Sequence, residues 1–153
     1  MLNNEKEFAR QIEILFRGKR VDNGEWVYGW LGHLQSYNPR AKTISTIYFT
    51  EITEDYESKL NTIVDYKTIG QYTGLTDKND NKIFEGDIVA GALHWFEQKK
   101  NGVVTFRDGS FGLLWYHGEA ELFNPFTSMC NITYEVIGNI HDNPELLKGG
   151  VQE

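Results

Sequence analysis

The chain holds a single cysteine, Cys130, among its 153 residues, so no intrachain disulfide can form. A chain of this length needs neither a disulfide nor a structural metal to bury a core. A lone cysteine in an apolar neighbourhood reads as a small core residue rather than a nucleophile. Basic residues are scarce as well: fifteen Lys and Arg face twenty-two Asp and Glu, a net charge of -7. That balance disfavours a broad footprint for phosphate backbones. Apolar runs are short, and none approaches the roughly 18 residues of a membrane span. The opening stretch, MLNNEKEFARQIEILFRGKR, mixes charges and lacks the continuous apolar core of a secretory signal. The expected location is therefore the cytoplasm, with no membrane partner, and the sequon at Asn131-Ile132-Thr133 carries no meaning there.

Aromatic residues are abundant: four Trp, eight Tyr and nine Phe, alongside fifteen Gly. Aromatic and β-branched side chains suit pleated, half-buried surfaces, and glycines suit the turns between them. The expected class is all-β, in one domain over residues 1–153. Residues 4–11 allow a short helix with Phe8 and Ile12 on one side. The pattern then changes to period two. Residues 11–17 and 25–31 read as strands joined through Val21-Asp22-Asn23-Gly24, an Asn-Gly hairpin signal, with Trp26, Tyr28 and Trp30 lining one face. Residues 32–42 read as a loop turning at Tyr37-Asn38-Pro39, and 43–52 as a strand apolar on both faces. Such a strand must be buried twice, by its own chain or by a second copy. Residues 53–62 read as a polar loop or short exposed helix.

The second half reads as a run of short strands: 66–73, 82–93, 103–107, 111–117 and 132–141, with turns at 77–81, 98–102 and Asp108-Gly109. Asn143 with Pro144 begins a short helical turn at the end. Strands at such intervals argue for a small barrel or sandwich, and the order of strands and turns is that of an SH3-like meander. The expected architecture is an SH3-like barrel core over about 63–148, with an N-terminal β-hairpin elaboration over about 11–62.

Two stretches are more specific than this. One runs from Ile69 through Gly70, Gln71, Tyr72, Thr73, Gly74 and Leu75 to Asn79, then continues through Ile83-Phe84 into Glu85, Gly86, Asp87, Ile88 and Val89. The other runs from Val136 through Ile137, Gly138 and Asn139 to Asn143, Pro144 and Leu147. Together with the opening hairpin they resemble the YopX family, over about residues 11–148. Asn79-Asp80-Asn81 stands where the family usually has an Asn-Gly turn, and His141-Asp142 where an aromatic residue and an acid are common. The resemblance implies an SH3-like core and a gene carried by a phage or prophage. It implies no reaction, no cofactor and no catalytic residues, so the motif residues are given structural roles. Gly74 and Gly86 suit turns, Ile88 and Val89 suit a strand, and Asp87 suits a bond to a nearby backbone N–H.

Constellations that carry chemistry are weak. Asp77, Asn79 and Asn81 match three positions of a calcium loop, but Lys82 and Ile88 stand where the loop requires Gly and a bidentate acid. Glu85 and Asp87 are two apart and would share a strand face, yet Gly86 between them signals a turn that spreads them. His33, His94, His117 and His141 are dispersed, without zinc-ligand spacing. There is no nucleophile elbow and no phosphate loop. Arg17, Lys19 and Arg20 cluster near the first turn, Lys99-Lys100 sits at another, and the aromatics of 26–30 and 111–116 read as core rather than as a stacking platform. The favoured reading is a non-enzymatic, phage-encoded accessory protein acting through protein–protein contacts, as a homo-oligomer or with a host or phage protein. The alternatives are a nucleic-acid-binding module and, less favoured, a metal-dependent hydrolase built on Asp77, Glu85 and Asp87.

Overall fold

A computed structural model describes residues 14–38, 43–51, 59–91, 100–117, 119–126 and 134–147. These residues form strands almost throughout, in two antiparallel sheets. The strands are β1 (Phe16–Lys19), β2 (Trp26–Asn38), β3 (Thr43–Glu51), β4 (Lys59–Ile63), β5 (Gly70–Thr76), β6 (Lys82–Phe84), β7 (Asp87–Gly91), β8 (Lys100–Arg107), β9 (Ser110–His117), β10 (Ala120–Pro125) and β11 (Glu135–Asn139). One sheet has six strands in the order β4-β3-β2-β1-β5-β6, the other five in the order β10-β9-β8-β7-β11. The all-β class is as the composition predicts. The meander from β7 to β10 is present too, and the ladders of the described residues run as open sheets.

The expected Asn-Gly hairpin joins β1 to β2, with Gly24 at φ 74° and its N–H donating to the Arg20 carbonyl at 3.0 Å. β2 is much longer than expected. It continues through residues 32–38, so the chain turns beyond Asn38, and residues 59–62 belong to β4 rather than to a loop. Polar residues mislead here because ladder bonds to β3 hold the segment whatever its side chains. The helix expected at 4–11, the segment 52–58, Cys130 and His94 lie outside the described residues.

The run expected as one strand over 82–93 is two, β6 and β7, which belong to different sheets. The turn at Glu85-Gly86 separates them, and Gly86 sits at φ 84°, where a side chain would be strained. Its N–H donates to the Val104 carbonyl and its own carbonyl accepts from Ile140, both at 2.9 Å, so three segments of the chain cross at this residue. Gly74 lies in a bulge of β5, where the register against β6 shifts, and not in a turn. β10 has the weakest signal in the sequence: Glu121 and Asn124 interrupt its apolar pattern, and Pro125 is tolerated because the strand is an edge.

The core lies between the sheets. Ile83 of β6 packs with Val89, Val104 and Leu113 of the second sheet and with Tyr134. Ile83, Val89 and Val104 are almost wholly buried, each contributing roughly 1.5–3 kcal/mol. Trp115 and Leu113 are buried on β9, as their shared face predicts.

Close backbone approach fixes one further position. A Cβ on Gly70 would lie 2.3 Å from the Glu85 carbonyl oxygen. Gly70→Ala is expected to lower stability by more than the roughly 1 kcal/mol typical of single substitutions, because backbone atoms must part. Gly24→Ala, which meets no neighbour, should cost only the strain of its turn. Chemical denaturation of the two variants checks the order.

Candidate functional site

The two motif stretches and the opening hairpin converge on Arg17. β1 sets Arg17 opposite Tyr28 of β2 and Gly70 of β5, and the Glu85-Gly86 turn carries Asp87 to the same point. Both charged residues are buried, Arg17 at 7% exposure and Asp87 at 1%. Nη2 of Arg17 lies 2.5 Å from Oδ1 of Asp87 and donates to the Glu85 carbonyl at 3.4 Å. The guanidinium also lies against two rings, 4.7 Å from the centroid of Trp26 and 5.0 Å from that of Phe84. Oδ2 of Asp87 accepts the Phe84 N–H at 2.7 Å, the backbone bond expected from the sequence. Among the described residues, Arg17 Nε and Asp87 Oδ1 lack a hydrogen-bond partner. The pair is therefore close but poorly aligned. Burial pushes the Asp87 carboxyl above the usual range, against the pull of Arg17 and of the Phe84 N–H.

A more exposed layer covers this pair. Asp142 accepts hydrogen bonds from Lys19 Nζ, from Trp26 Nε1 at 2.7 Å and from Asn139 Nδ2 at 2.8 Å. Desolvation opposes its ionisation, but these three donors outweigh it and hold the carboxyl at about 2. The His141 ring tilts against Trp26 at 5.9 Å. Desolvation lowers its pKa, and the positive charges of Arg17 and Lys19 lower it further against Asp142 and Asp65. The turn that carries His141 and Asp142 is set by Gly138, where a Cβ would lie 2.6 Å from Oδ1 of Asn143. That oxygen accepts the Asn139 N–H at 3.4 Å, so the Asn143 side chain serves this turn, while its carbonyl accepts from Leu146 at 3.1 Å in the helical turn Pro144–Leu147.

Asp77 is buried at the opposite end of β5. Its carboxylate accepts the N–H groups of Asn79 at 2.8 Å, Asn81 at 2.9 Å and Val136 at 3.0 Å. It thus closes the turn at 77–81 and ties it to β11. These bonds lower its pKa despite a larger opposing effect of burial than any single one of them. Asp80 takes φ 64°, the conformation that Gly supplies in the usual family turn. Asp77 and Asp87 are both committed to partners of their own chain. Among the described residues, no three His, Cys, Asp or Glu side chains come together in a metal-ligand arrangement.

The basic cluster is likewise internally paired. Arg17 meets Asp87, Lys19 meets Asp142, and Arg20 donates to Asp22 through Nε at 2.9 Å and Nη2 at 2.7 Å. What the site does present is aromatic. Trp26, Tyr28 and Trp30 share one face of β2. Tyr28 packs on Phe84, and Phe84 on Tyr72, each at 5.5 Å. Trp26 is half-buried under the 140–142 turn, but Tyr28 is 49% exposed and Trp30 56%. The expectation that this row is core holds only at its Trp26 end. The reason is the ladder: β1 pairs with β2 only as far as Phe16 opposite Gly29, and beyond that point β2 pairs with β3 alone among the described residues.

Removing either member of the buried pair should strand the other charge. Arg17→Ala and Asp87→Ala are each expected to cost about 3–5 kcal/mol. The double variant Arg17→Met with Asp87→Leu should cost less than either, since it removes both charges and keeps contact with the rings; a double-mutant cycle by urea denaturation measures this. The acid response should come in two windows. His141 has a folded pKa below the usual 6.5, so stability is full above that value and falls as the unfolded chain takes up the proton first. Asp142 adds its loss later, between the usual 3.8 and about 2. Denaturation midpoints against pH should show a first decline that flattens in His141→Gln and a second that persists.

Among solved structures, the chain is similar to protein EF1440 from Enterococcus faecalis, at 24% identity, over 88% of this chain and 97% of that one, with a TM-score of 0.47. No curated protein matches it at a significant level. The YopX protein family profile matches residues 15–148, which take in the hairpin, the Arg17–Asp87 pair and both motif stretches. This chain belongs to the YopX family.

Proposed function

We propose that this protein is a non-enzymatic, phage-encoded accessory protein that acts by protein–protein contact, using the Tyr28–Trp30 end of its aromatic row. One observation carries this reading: two large rings stand about half exposed at the end of a row whose remaining member, Trp26, is packed under the 140–142 turn. Aromatic side chains of this kind supply much of the binding energy at protein interfaces. The charged residues beside the row favour contact over chemistry, because Arg17, Lys19 and Arg20 are paired with Asp87, Asp142 and Asp22 within the chain. The same pairing weighs against the alternative of bases stacked on these rings, which would need free cations to track the phosphates. No described helix is long and apolar enough to cross a membrane, and we place the action of the protein in the cytoplasm of the host.

Affinity purification of tagged protein from infected host cells tests the reading. The wild-type chain is expected to retain a specific protein that Trp30→Ser loses, while Tyr116→Ser, at an exposed aromatic on β9, retains it. Equal recovery by all three would overturn the proposal. A mobility shift on single-stranded DNA or RNA at low salt that Trp30→Ser abolishes would favour the nucleic-acid alternative instead.

A further inference from the structure

We infer that the exposed Trp30–Leu31 stretch of β2 is covered by the same stretch of a second copy of this chain, so that the protein is a homo-oligomer; this rests on the contact reading above and names the partner. Among the described residues, only the first four of β2, Trp26–Gly29, pair with β1. From Trp30 to Asn38 the strand pairs with β3, and among the described residues β4 adds to β3 only at Tyr48, Phe49 and Glu51. A ribbon of two strands is marginal in water and needs a further layer or further strands. The chain's own second sheet does not supply that layer at Trp30 and Leu31. These neighbours point to opposite faces, and both are exposed, at 56% and 44%. At this point the sheet has no inner side, as befits a segment whose core is completed by another molecule.

Charge identifies the occupant. Residues 30–38 and 43–50 contain no Asp, Glu, Lys or Arg, in a chain of net charge -7. Two copies of so acidic a protein repel over most of their surfaces. The uncharged segment is where copy can meet copy without that repulsion. A basic partner would find no carboxylate on it, and an acidic partner no cation. The segment therefore brings no like-charge repulsion to a contact between two copies, as a symmetric interface requires.

Light-scattering mass and sedimentation of the full chain at micromolar concentration test this. The expected mass is that of two or more chains. Trp30→Glu and Leu31→Glu each place a charge in the interface and should weaken association on the order of tenfold or more. Tyr66→Glu, at an exposed ring on the turn before β5, should leave the mass unchanged. Circular dichroism of the variants should keep its β character. A monomeric wild-type chain would overturn the inference, and so would an oligomer that survives both Trp30→Glu and Leu31→Glu. If the wild-type chain is monomeric yet still loses its cellular partner on Trp30→Ser, the second copy is excluded and the contact reading stands. If it is monomeric and Trp30→Ser loses nothing, both fall.

Discussion

A guanidinium and a carboxylate removed from water next to one another, Arg17 and Asp87, set the terms for the rest of this structure. Taking two such charges into a protein interior costs several kcal/mol per ion, and imperfect alignment leaves part of that cost unreturned. The raised Asp87 carboxyl is the local sign of this balance. The pair is thus better understood as a device for specificity than as a source of stability. Strands place alternate side chains on opposite faces, so a slip of one residue in β1 would turn Arg17 away from Asp87 and leave both charges unpaired. The pair selects one register of β1, and β1 is the strand through which β2, β3 and β4 join β5 and β6. Trp26 and Phe84 then lie against the guanidinium, and the 140–142 turn lies against Trp26.

The small residues and acids of the two motif stretches take their places from the same geometry. Gly86 lets the chain pass from one sheet to the other and exposes its backbone groups to β8 and to Ile140. Gly70 lets that turn come close to β5, and Gly138 makes room for the Asn143 side chain. Asp77 binds the first motif to β11 through the Val136 N–H. A sequence reader sees small residues and acids at fixed spacing and thinks of a site. Their positions here are explained by backbone groups that must be satisfied when two sheets meet at a narrow seam.

Local signals were therefore readable, and long-range ones were not. The Asn-Gly hairpin, the bond from Asp87 to a near backbone N–H, the Asp108-Gly109 turn and the buried face of β9 all depend on residues close in sequence. The division of 82–93 was hidden because Ile83, Phe84, Ile88 and Val89 are apolar whichever sheet they join; only Gly86 betrays the break. The role of Arg17 was hidden more deeply. Its partner is Asp87, far along the chain, and a basic residue next to Lys19 and Arg20 resembles a solvated cluster. The exposure of Tyr28 and Trp30 was hidden for a third reason: period-two alternation shows which residues share a face but not whether another layer covers it.

That last ambiguity also bears on function. A row of aromatic side chains on one strand can be a core, a stacking platform or an interface, and composition does not separate these. Packing and charge separate the core end of this row from its exposed end. Trp26 is held by Asp142, by His141 and by two cations, which makes it part of the seam. Tyr28 shares Phe84 with Tyr72 but keeps half its surface free, and Trp30 stands beyond the point where β1 stops pairing. The row thus passes from interior to surface along a single strand, with its rigid end anchored by the buried ion pair. Rings fixed at one end lose little freedom when the other end is covered, so in the contact proposed above the energy of burying them would go into association rather than into ordering. An anchored, uncharged aromatic edge on an otherwise acidic protein is a surface suited to contact, and the ion pair beneath it is what holds that surface in place.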